Sequence, residues 1–287
     1  MKKTSRLRAL LQAEGLITAP GASTPLLAHR VELAGFDVVY ATGAGVANMN
    51  FGVPDIGLVT MSESLEIMRR INGAVSVPVI ADIDNGFGNP LMVYRTVKEY
   101  TACGIAALQL EDQQLPKRCG HFEGKAIIPK EEMLGKIKAA KDAMLDPETV
   151  LIARTDAIAV NGFDDAIDRA QAYLEAGADM LFIEAPTTRE ELAKIPAAIR
   201  AMHVANMVEG GKTPCLPGDE LEALGFKMAL YANAPLKAAL RGAKDLLARL
   251  KAEGTTNGAD SLMISMKERN ELTKLRDFNE MERRYKA

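Results

Sequence analysis

A chain of 287 residues with 48% apolar and 25% charged side chains is long enough for one large α/β barrel or two small domains. Its formal charge of −3 excludes a bulk attraction to nucleic acid or to an anionic membrane, so an anionic substrate must be met by local positive charge. The three cysteines, Cys103, Cys119 and Cys215, form no CxxC pair, and the odd count argues for a reducing, cytoplasmic setting rather than a disulfide framework.

In chain order, residues 1–15 open with Lys2-Lys3, but Arg6, Arg8 and Glu14 interrupt any signal-peptide core, so the stretch reads as an amphipathic helix. No apolar run reaches the roughly 18 residues that a membrane span needs. Eight short apolar runs follow, at 16–20, 38–42, 77–82, 107–110, 150–153, 180–183, 203–206 and 228–231. They are apolar almost throughout rather than alternating, which suits parallel strands buried on both faces. Helical patterns lie between them, among them 62–71, 91–103, 130–144, 164–176 and 189–200.

A weak repeat punctuates this order. Ala34-Gly35-Phe36-Asp37, Cys103-Gly104-Ile105-Ala106, Ala176-Gly177-Ala178-Asp179 and Leu224-Gly225-Phe226-Lys227 each stand between a helix and the next strand, where glycine ends a helix in the left-handed conformation. A chain reading βα eight times closes most economically as a (β/α)8 TIM barrel, with an open doubly wound sheet as the alternative. No linker interrupts it. Residues 1–287 read as a single barrel domain with 236–287 as a helical extension. The extension reads as helices at 236–253 and 263–285, joined by the polar break Gly254-Thr255-Thr256-Asn257-Gly258. Its last segment either covers its own barrel or packs on a neighbouring subunit.

The strand ends carry unusual polar residues: Tyr40-Ala41-Thr42-Gly43, Asp82-Ile83-Asp84, Glu111-Asp112, Arg154-Thr155-Asp156, Glu184 and Asn206. Charged groups there are costly unless paired or ligated, and barrel enzymes keep their chemistry at that end. Asp82, Asp84, Glu111 and Glu184 are hard oxygen donors without histidine, which favours magnesium or manganese. The alternative is an ion network in which these acids pair with Arg154 and Lys117. The segment 113–125, with one proline and two glycines, reads as a loop over the barrel mouth. Within it Lys117, Arg118 and His121 flank Cys119, a setting that lowers a thiol pKa. Arg154 offers a fork for a substrate carboxylate. Cys103, Cys215 and His203 read as structural, and Gly210-Gly211-Lys212 lacks phosphate-loop spacing.

Lys117-Arg118-Cys119-Gly120-His121 resembles the signature loop of the lyase branch of the isocitrate lyase/phosphoenolpyruvate mutase superfamily. The resemblance runs through Asp82-Ile83-Asp84, Gly86-Phe87-Gly88, Leu110-Glu111-Asp112-Gln113, Ala153-Arg154-Thr155-Asp156-Ala157 and the stretch from Asn206 to Pro214, and so covers nearly the whole chain. It implies a magnesium-dependent enzyme, or one using manganese, that cleaves a carbon–carbon bond in a small di- or tricarboxylate. Asp82, Asp84 and Glu111 would hold the metal, with Asp55 nearby. Thr42, Gly43 and Ala44 would hold a substrate carboxylate, and Gly120, Arg154, Glu184, Asn206 and Arg269 would complete the substrate site. Cys119 would be the catalytic acid, with Tyr40, His121 and Arg154 beside it. A homotetramer with exchanged C-terminal helices is also implied.

Within the superfamily, Cys119 argues against phosphoenolpyruvate mutases and phosphonopyruvate hydrolases, whereas carboxyphosphonoenolpyruvate mutases carry a similar loop. Arg269-Asn270-Glu271-Leu272 resembles the 2-methylisocitrate lyases, which usually have arginine in place of Lys237. Val208-Glu209-Gly210-Gly211 is closer to 2,3-dimethylmalate lyase, oxaloacetate hydrolase and 2-alkylmalate lyases. Tyr231-Ala232-Asn233-Ala234-Pro235 departs from the usual family pattern at a position that shapes specificity. The expected products are an α-keto acid and a carboxylic acid; the alternatives are oxaloacetate hydrolysis or decarboxylation and P–C chemistry.

Overall fold

In the computed structural model, which describes residues 1–118, 120 and 124–286, all eight expected strands form. They are β1 (Ile17–Ala22), β2 (Val39–Ala41), β3 (Val79–Asp82), β4 (Ala107–Glu111), β5 (Val150–Thr155), β6 (Met180–Ile183), β7 (His203–Asn206) and β8 (Met228–Tyr231). Each pairs in parallel with its neighbours in sequence, and β8 closes on β1. The fold is the (β/α)8 TIM barrel.

The uniformly apolar strands serve two walls at once. Alternate residues point to opposite faces of a strand. Ile17, Ala19, Tyr40, Ile80, Ala107, Ile152, Met180, Phe182, Val204 and Leu230 belong to one cluster, inside the barrel. Val39, Ala41, Val79, Ala81, Leu108, Leu110, Leu151, Ala153, Leu181 and Ala229 belong to another, against the surrounding helices. Leu7 and Leu11 of the helix Lys3–Gln12 join the inner cluster, so the amphipathic N-terminal helix plugs the barrel at the end where the strands begin.

The expected helices appear as Met61–Ala74, Pro90–Ala102, Lys130–Ala143, Phe163–Glu175 and Arg189–Ala198. The four glycines that punctuate the repeat, Gly35, Gly104, Gly177 and Gly225, all take positive φ, from 75° to 111°. Among the described residues, no helix is long and apolar enough to cross a membrane.

The chain forms two compact units, Met1–Ala234 and Pro235–Ala287. The second holds most of the helix Ala234–Glu253, then a short 3-10 turn Asp260–Leu262 and the helices Met266–Leu272 and Leu275–Tyr285. This corrects the expectation of one helical segment over 263–285. Ser265 opens the first helix with a reciprocal cap to Glu268, and Lys274, at φ 53°, separates the two. A non-glycine residue in that conformation ends one helix before the next begins.

Candidate active site

Strand alternation decides which polar residue reaches the barrel axis. Along β2, β4, β5, β6 and β7 the inner positions run on to Thr42, Glu111, Arg154, Glu184 and Asn206 at the strands' C-terminal ends. These residues line one cavity together with Tyr40, Ala44, Asp55, Asp82, Lys117, Arg118 and Gly120.

The acids crowd one side of this cavity. Lys117 is wedged between Asp55 and Asp84, its Nζ 2.7 Å from Asp84 Oδ1. Asp84 sits at φ 47°, in the left-handed region that aspartate tolerates better than most residues. Its turn is fastened by Lys136, which donates to the Asn85 carbonyl at 3.0 Å. Burial raises the Asp84 carboxyl to about 6; Lys117 opposes this, while Asp82 and Asp55 push it further. Glu111 is raised well above the carboxylate range, again chiefly by burial. Burial would lower Lys117, but Asp84 and Asp55 more than offset it and hold the ammonium well above its ordinary value. Gly43 completes this wall: its N–H donates to Asp82 Oδ2 at 3.2 Å, and a Cβ there would lie 2.9 Å from the same oxygen.

An ion network with Lys117 and Arg154 is present, yet negative groups outnumber their partners. Glu111 Oε1 is buried and has no hydrogen-bond partner among the described residues. An all-oxygen set of this kind fits a hard divalent cation. Among the described residues no three acidic, histidine or cysteine side chains gather closely enough to hold an ion by themselves.

Arg154 is the hub of the opposite side. Its Nε and Nη2 donate to the two oxygens of Asp156 at 2.9 and 3.1 Å. Its contacts to Glu111 and Glu184 are looser, at 3.5 and 3.4 Å, and its guanidinium stands 5.2 Å from the Phe182 ring centre. Burial favours neutral arginine, but Asp156 and Glu184 outweigh it and keep Arg154 charged. Burial likewise opposes charge on Asp156, and Arg154 and Lys125 overcome it, leaving that carboxyl below its ordinary value. Lys125 Nζ bridges Asp156, at 2.7 Å, to the carbonyl of Gly120, at 2.6 Å. Gly120 packs so closely that a Cβ would lie 2.5 Å from Arg154 Nη2 and 2.9 Å from Glu184.

The loop over the mouth stands on a closed neck. Gln114 N–H donates to the Ala126 carbonyl at 2.8 Å, and Ile128 N–H donates to the Asp112 carbonyl at 2.9 Å. Gln113 brackets Arg118, accepting from its N–H and donating to its carbonyl. Cys119 and His121, expected as catalytic residues within this loop, lie outside the described residues. Arg269, expected at the substrate, lies on the helix Met266–Leu272 of the C-terminal unit. The cavity walls named above all come from the unit Met1–Ala234.

Asp112 does not line the cavity. It points outward and accepts from Thr155 Oγ1 at 2.7 Å, Asp156 N–H at 3.0 Å and Tyr173 OH at 2.8 Å, with Arg169 at 3.4 Å. Arg169 also donates to the Ile128 carbonyl at 2.9 Å, tying the loop neck to the helix Phe163–Glu175. His203 is structural, as expected. Its Nε2 meets the Ile199 carbonyl at 2.8 Å, and burial lowers its pKa.

Four contributors escape a reading of strand ends: Gln109, Lys125, Asn233 and the apolar wall of Phe182, Leu230 and Val208. Gln109 had a visible signal, as an amide in the interior of an apolar strand run. The Tyr40 hydroxyl donates to its Oε1 at 2.9 Å. Burial and then Asp82 push the Tyr40 hydroxyl well above the phenol range, so in the free cavity Tyr40 keeps its proton.

Residues 7–251 match the family described as phosphoenolpyruvate phosphomutase. The chain is similar to 2,3-dimethylmalate lyase of Eubacterium barkeri, 45% identical over 99% of both chains. It is similar to 2-methylisocitrate lyase of Escherichia coli (strain K12), 44% identical over 91% of this chain and 86% of that one. Among solved structures it resembles oxaloacetate acetylhydrolase in complex with 3,3-difluorooxalacetate, with a TM-score of 0.94 and 34% identity over 98% of this chain and 96% of the other.

Proposed function

The chain belongs to the phosphoenolpyruvate mutase/isocitrate lyase superfamily and is a carbon–carbon lyase of its lyase branch, and from that footing we propose that it cleaves a 2-hydroxy-di- or tricarboxylate of the 2-alkylmalate or 2-methylisocitrate type. The products are an α-keto acid such as pyruvate and a carboxylic acid. The observation that carries this reading is the meeting, in one small cavity, of the acids Asp82 and Glu111 with Lys117, Arg154, Asn206 and Tyr40, with Asp84 paired to Lys117 at 2.7 Å.

Asp82, Asp84 and Glu111 are the residues that would hold magnesium or manganese, with water and substrate oxygens as further ligands. Bound there, the ion offsets the excess acid charge and polarises the substrate oxygen that becomes the keto group. Thr42, Gly43 and Ala44, at the start of a short helix, would hold the carboxylate beside the hydroxyl carbon. Arg154 faces the cavity with its loosely held edge, and its firm bond to Asp156 fixes the plane of the fork. Glu184 and Asn206, joined at 3.2 Å, and Gly120 complete the substrate wall. Arg269 is the candidate for a third carboxylate in a tricarboxylate.

The chemistry is a retro-aldol-type cleavage. The substrate hydroxyl gives its proton to a base, and the oxygen's electrons form the keto group. The carbon–carbon pair moves into the neighbouring carboxylate as an enediolate. Cations around the cavity stabilise that dianion, and a thiol proton from Cys119 quenches it at carbon. His121 would stand beside Cys119; both roles rest on the family resemblance. We further propose a cytoplasmic homotetramer whose C-terminal helices are exchanged between subunits.

Likeness to oxaloacetate acetylhydrolase supports a second reading, hydrolysis of oxaloacetate. Keto-acid release separates the two. The purified protein is given 2-methylisocitrate, 2,3-dimethylmalate, other 2-alkylmalates, isocitrate and oxaloacetate with Mg²⁺, with and without EDTA, and products are identified by mass. EDTA-sensitive release of a keto acid with its matching carboxylic acid supports the lyase. Consumption of oxaloacetate alone moves the protein to the second reading.

A further inference from the structure

Gln109 is a buried polar residue of the barrel interior that touches two residues lining the cavity, Tyr40 and Asp82. It occupies an inner position of β4, one layer below Glu111, and is 1% exposed. A buried amide needs an acceptor for its nitrogen and a donor for its oxygen. Gln109 has both. Its Nε2 donates to Asp82 Oδ1 on the adjacent β3 at 3.4 Å, and its Oε1 accepts from Tyr40 OH on β2 at 2.9 Å.

The direction of this chain of hydrogen bonds follows from chemistry alone. An ionised carboxylate can only accept, so the amide nitrogen must face Asp82. The amide oxygen then faces Tyr40 and accepts its single proton at 2.9 Å, in preference to the Asp82 carboxylate that also neighbours this hydroxyl. Only lone pairs remain on the Tyr40 oxygen, and Tyr40 lines the cavity. The group turned toward a ligand is therefore an acceptor.

We propose that Gln109 is a positioning residue that sets the polarity of Tyr40, so that the cavity prefers a ligand with a hydroxyl on the reacting carbon over its 2-oxo counterpart. The inference rests on the reading of this cavity as a 2-hydroxy-acid site. It also gives a reason for product release. Cleavage turns a donor hydroxyl into an acceptor carbonyl, and the matched hydrogen bond becomes a facing pair of acceptors.

The test is binding, measured by calorimetry on the Mg²⁺-loaded protein with three matched pairs: lactate and pyruvate, malate and oxaloacetate, 2-hydroxyglutarate and 2-oxoglutarate. The wild type should favour the hydroxy member of any pair that binds. Gln109→Met keeps the volume but removes the acceptor, freeing the Tyr40 proton to turn inward. It should reduce the hydroxy-over-oxo preference by about tenfold, the worth of one hydrogen bond. Gln109→Glu gives a second variant: protonated or ionised, its carboxyl still accepts from Tyr40. The hydroxy-over-oxo preference should therefore survive in Gln109→Glu while it is lost in Gln109→Met, a rescue that altered packing alone does not produce.

An unchanged ratio in Gln109→Met, a parallel loss of both ligands, or a Gln109→Glu that loses the preference as Gln109→Met does overturns the proposal. If the wild type binds hydroxy and oxo acids but turns over none, the lyase reading fails while the ratio still decides the role of Gln109. If it binds neither member of any pair, both fall.

Discussion

Asp156 is held from both sides, by Arg154 through two hydrogen bonds at 2.9 and 3.1 Å and by Lys125 at 2.7 Å. One carboxylate thus orients the guanidinium that faces the cavity and the carbonyl of the loop above it. Asp156→Asn should cost roughly 3–5 kcal/mol in urea unfolding, because it leaves buried cations without their partner. It should also lower kcat/KM by about 100-fold, since a displaced Arg154 no longer meets the substrate in line. Lys125→Met keeps the Arg154 grip and should cost about tenfold in kcat/KM. Wild-type kinetics in both variants would remove Asp156 from the orientation of Arg154.

The proposed divalent ion at Asp82, Asp84 and Glu111 would bind only the folded chain and so should raise stability by mass action, by about 2.7 kcal/mol at a hundred times Kd. Thermal unfolding should shift upward with Mg²⁺ and return with EDTA. Asp82→Asn and Glu111→Gln should each shrink the shift. A shift that survives both substitutions would place the ion elsewhere.

Asp112, next in sequence to Glu111, should behave differently. Its partners are Thr155, Arg169 and Tyr173 in the wall, so it carries stability rather than turnover. Tyr173→Phe should cost about 1 kcal/mol and Arg169→Met roughly 3–5 kcal/mol in urea unfolding. Tyr173→Phe should leave kcat within about twofold of wild type, as expected of a substitution outside the site. A large kcat loss in Tyr173→Phe would show that the wall network reaches the reacting atoms.

The plug helix carries a pH signature. Burial lowers Lys3 from 10.5 to about 8, against a smaller opposing effect of Glu32. Its ammonium contacts the carbonyl and side-chain oxygens of Asn72. The folded chain then binds fewer protons than the unfolded chain between about 8 and 10.5, so this residue's contribution to stability rises with pH across that window. Below it the cost is full and constant. The stability of the wild type relative to Lys3→Met should increase by about 1–2 kcal/mol from pH 7 to pH 10, allowing for partial exposure. A flat difference would mean that Lys3 titrates as an ordinary lysine.

The barrel was legible in the sequence because burial on both faces leaves an unusual mark. A run such as 180–183, short and without polar alternation, fits a parallel strand covered by helices on one side and by the barrel interior on the other. Gly35, Gly104, Gly177 and Gly225 ended helices where expected. The inner polar residues were legible for a related reason: Glu111, Arg154 and Glu184 interrupt or end strands that are otherwise apolar. What stayed hidden depends on direction and distance. Nothing local tells that Asp112 turns outward to a tyrosine 61 residues away, or that Lys125 returns to Asp156. The break at Lys274 stayed hidden because no glycine or proline marks it.

Glu111 and Asp112 are neighbours in the chain and face opposite walls of β4, one toward the reaction and one toward the scaffold. A single inserted or deleted residue in that strand would exchange them, putting a strut into the cavity and an unpartnered acid into the wall. Drift in such an enzyme is therefore channelled. The strands can trade residues but not change length, and new substrates must be accommodated from the rim, where Val208, Ala232 and Asn233 border the cavity without holding the barrel's register.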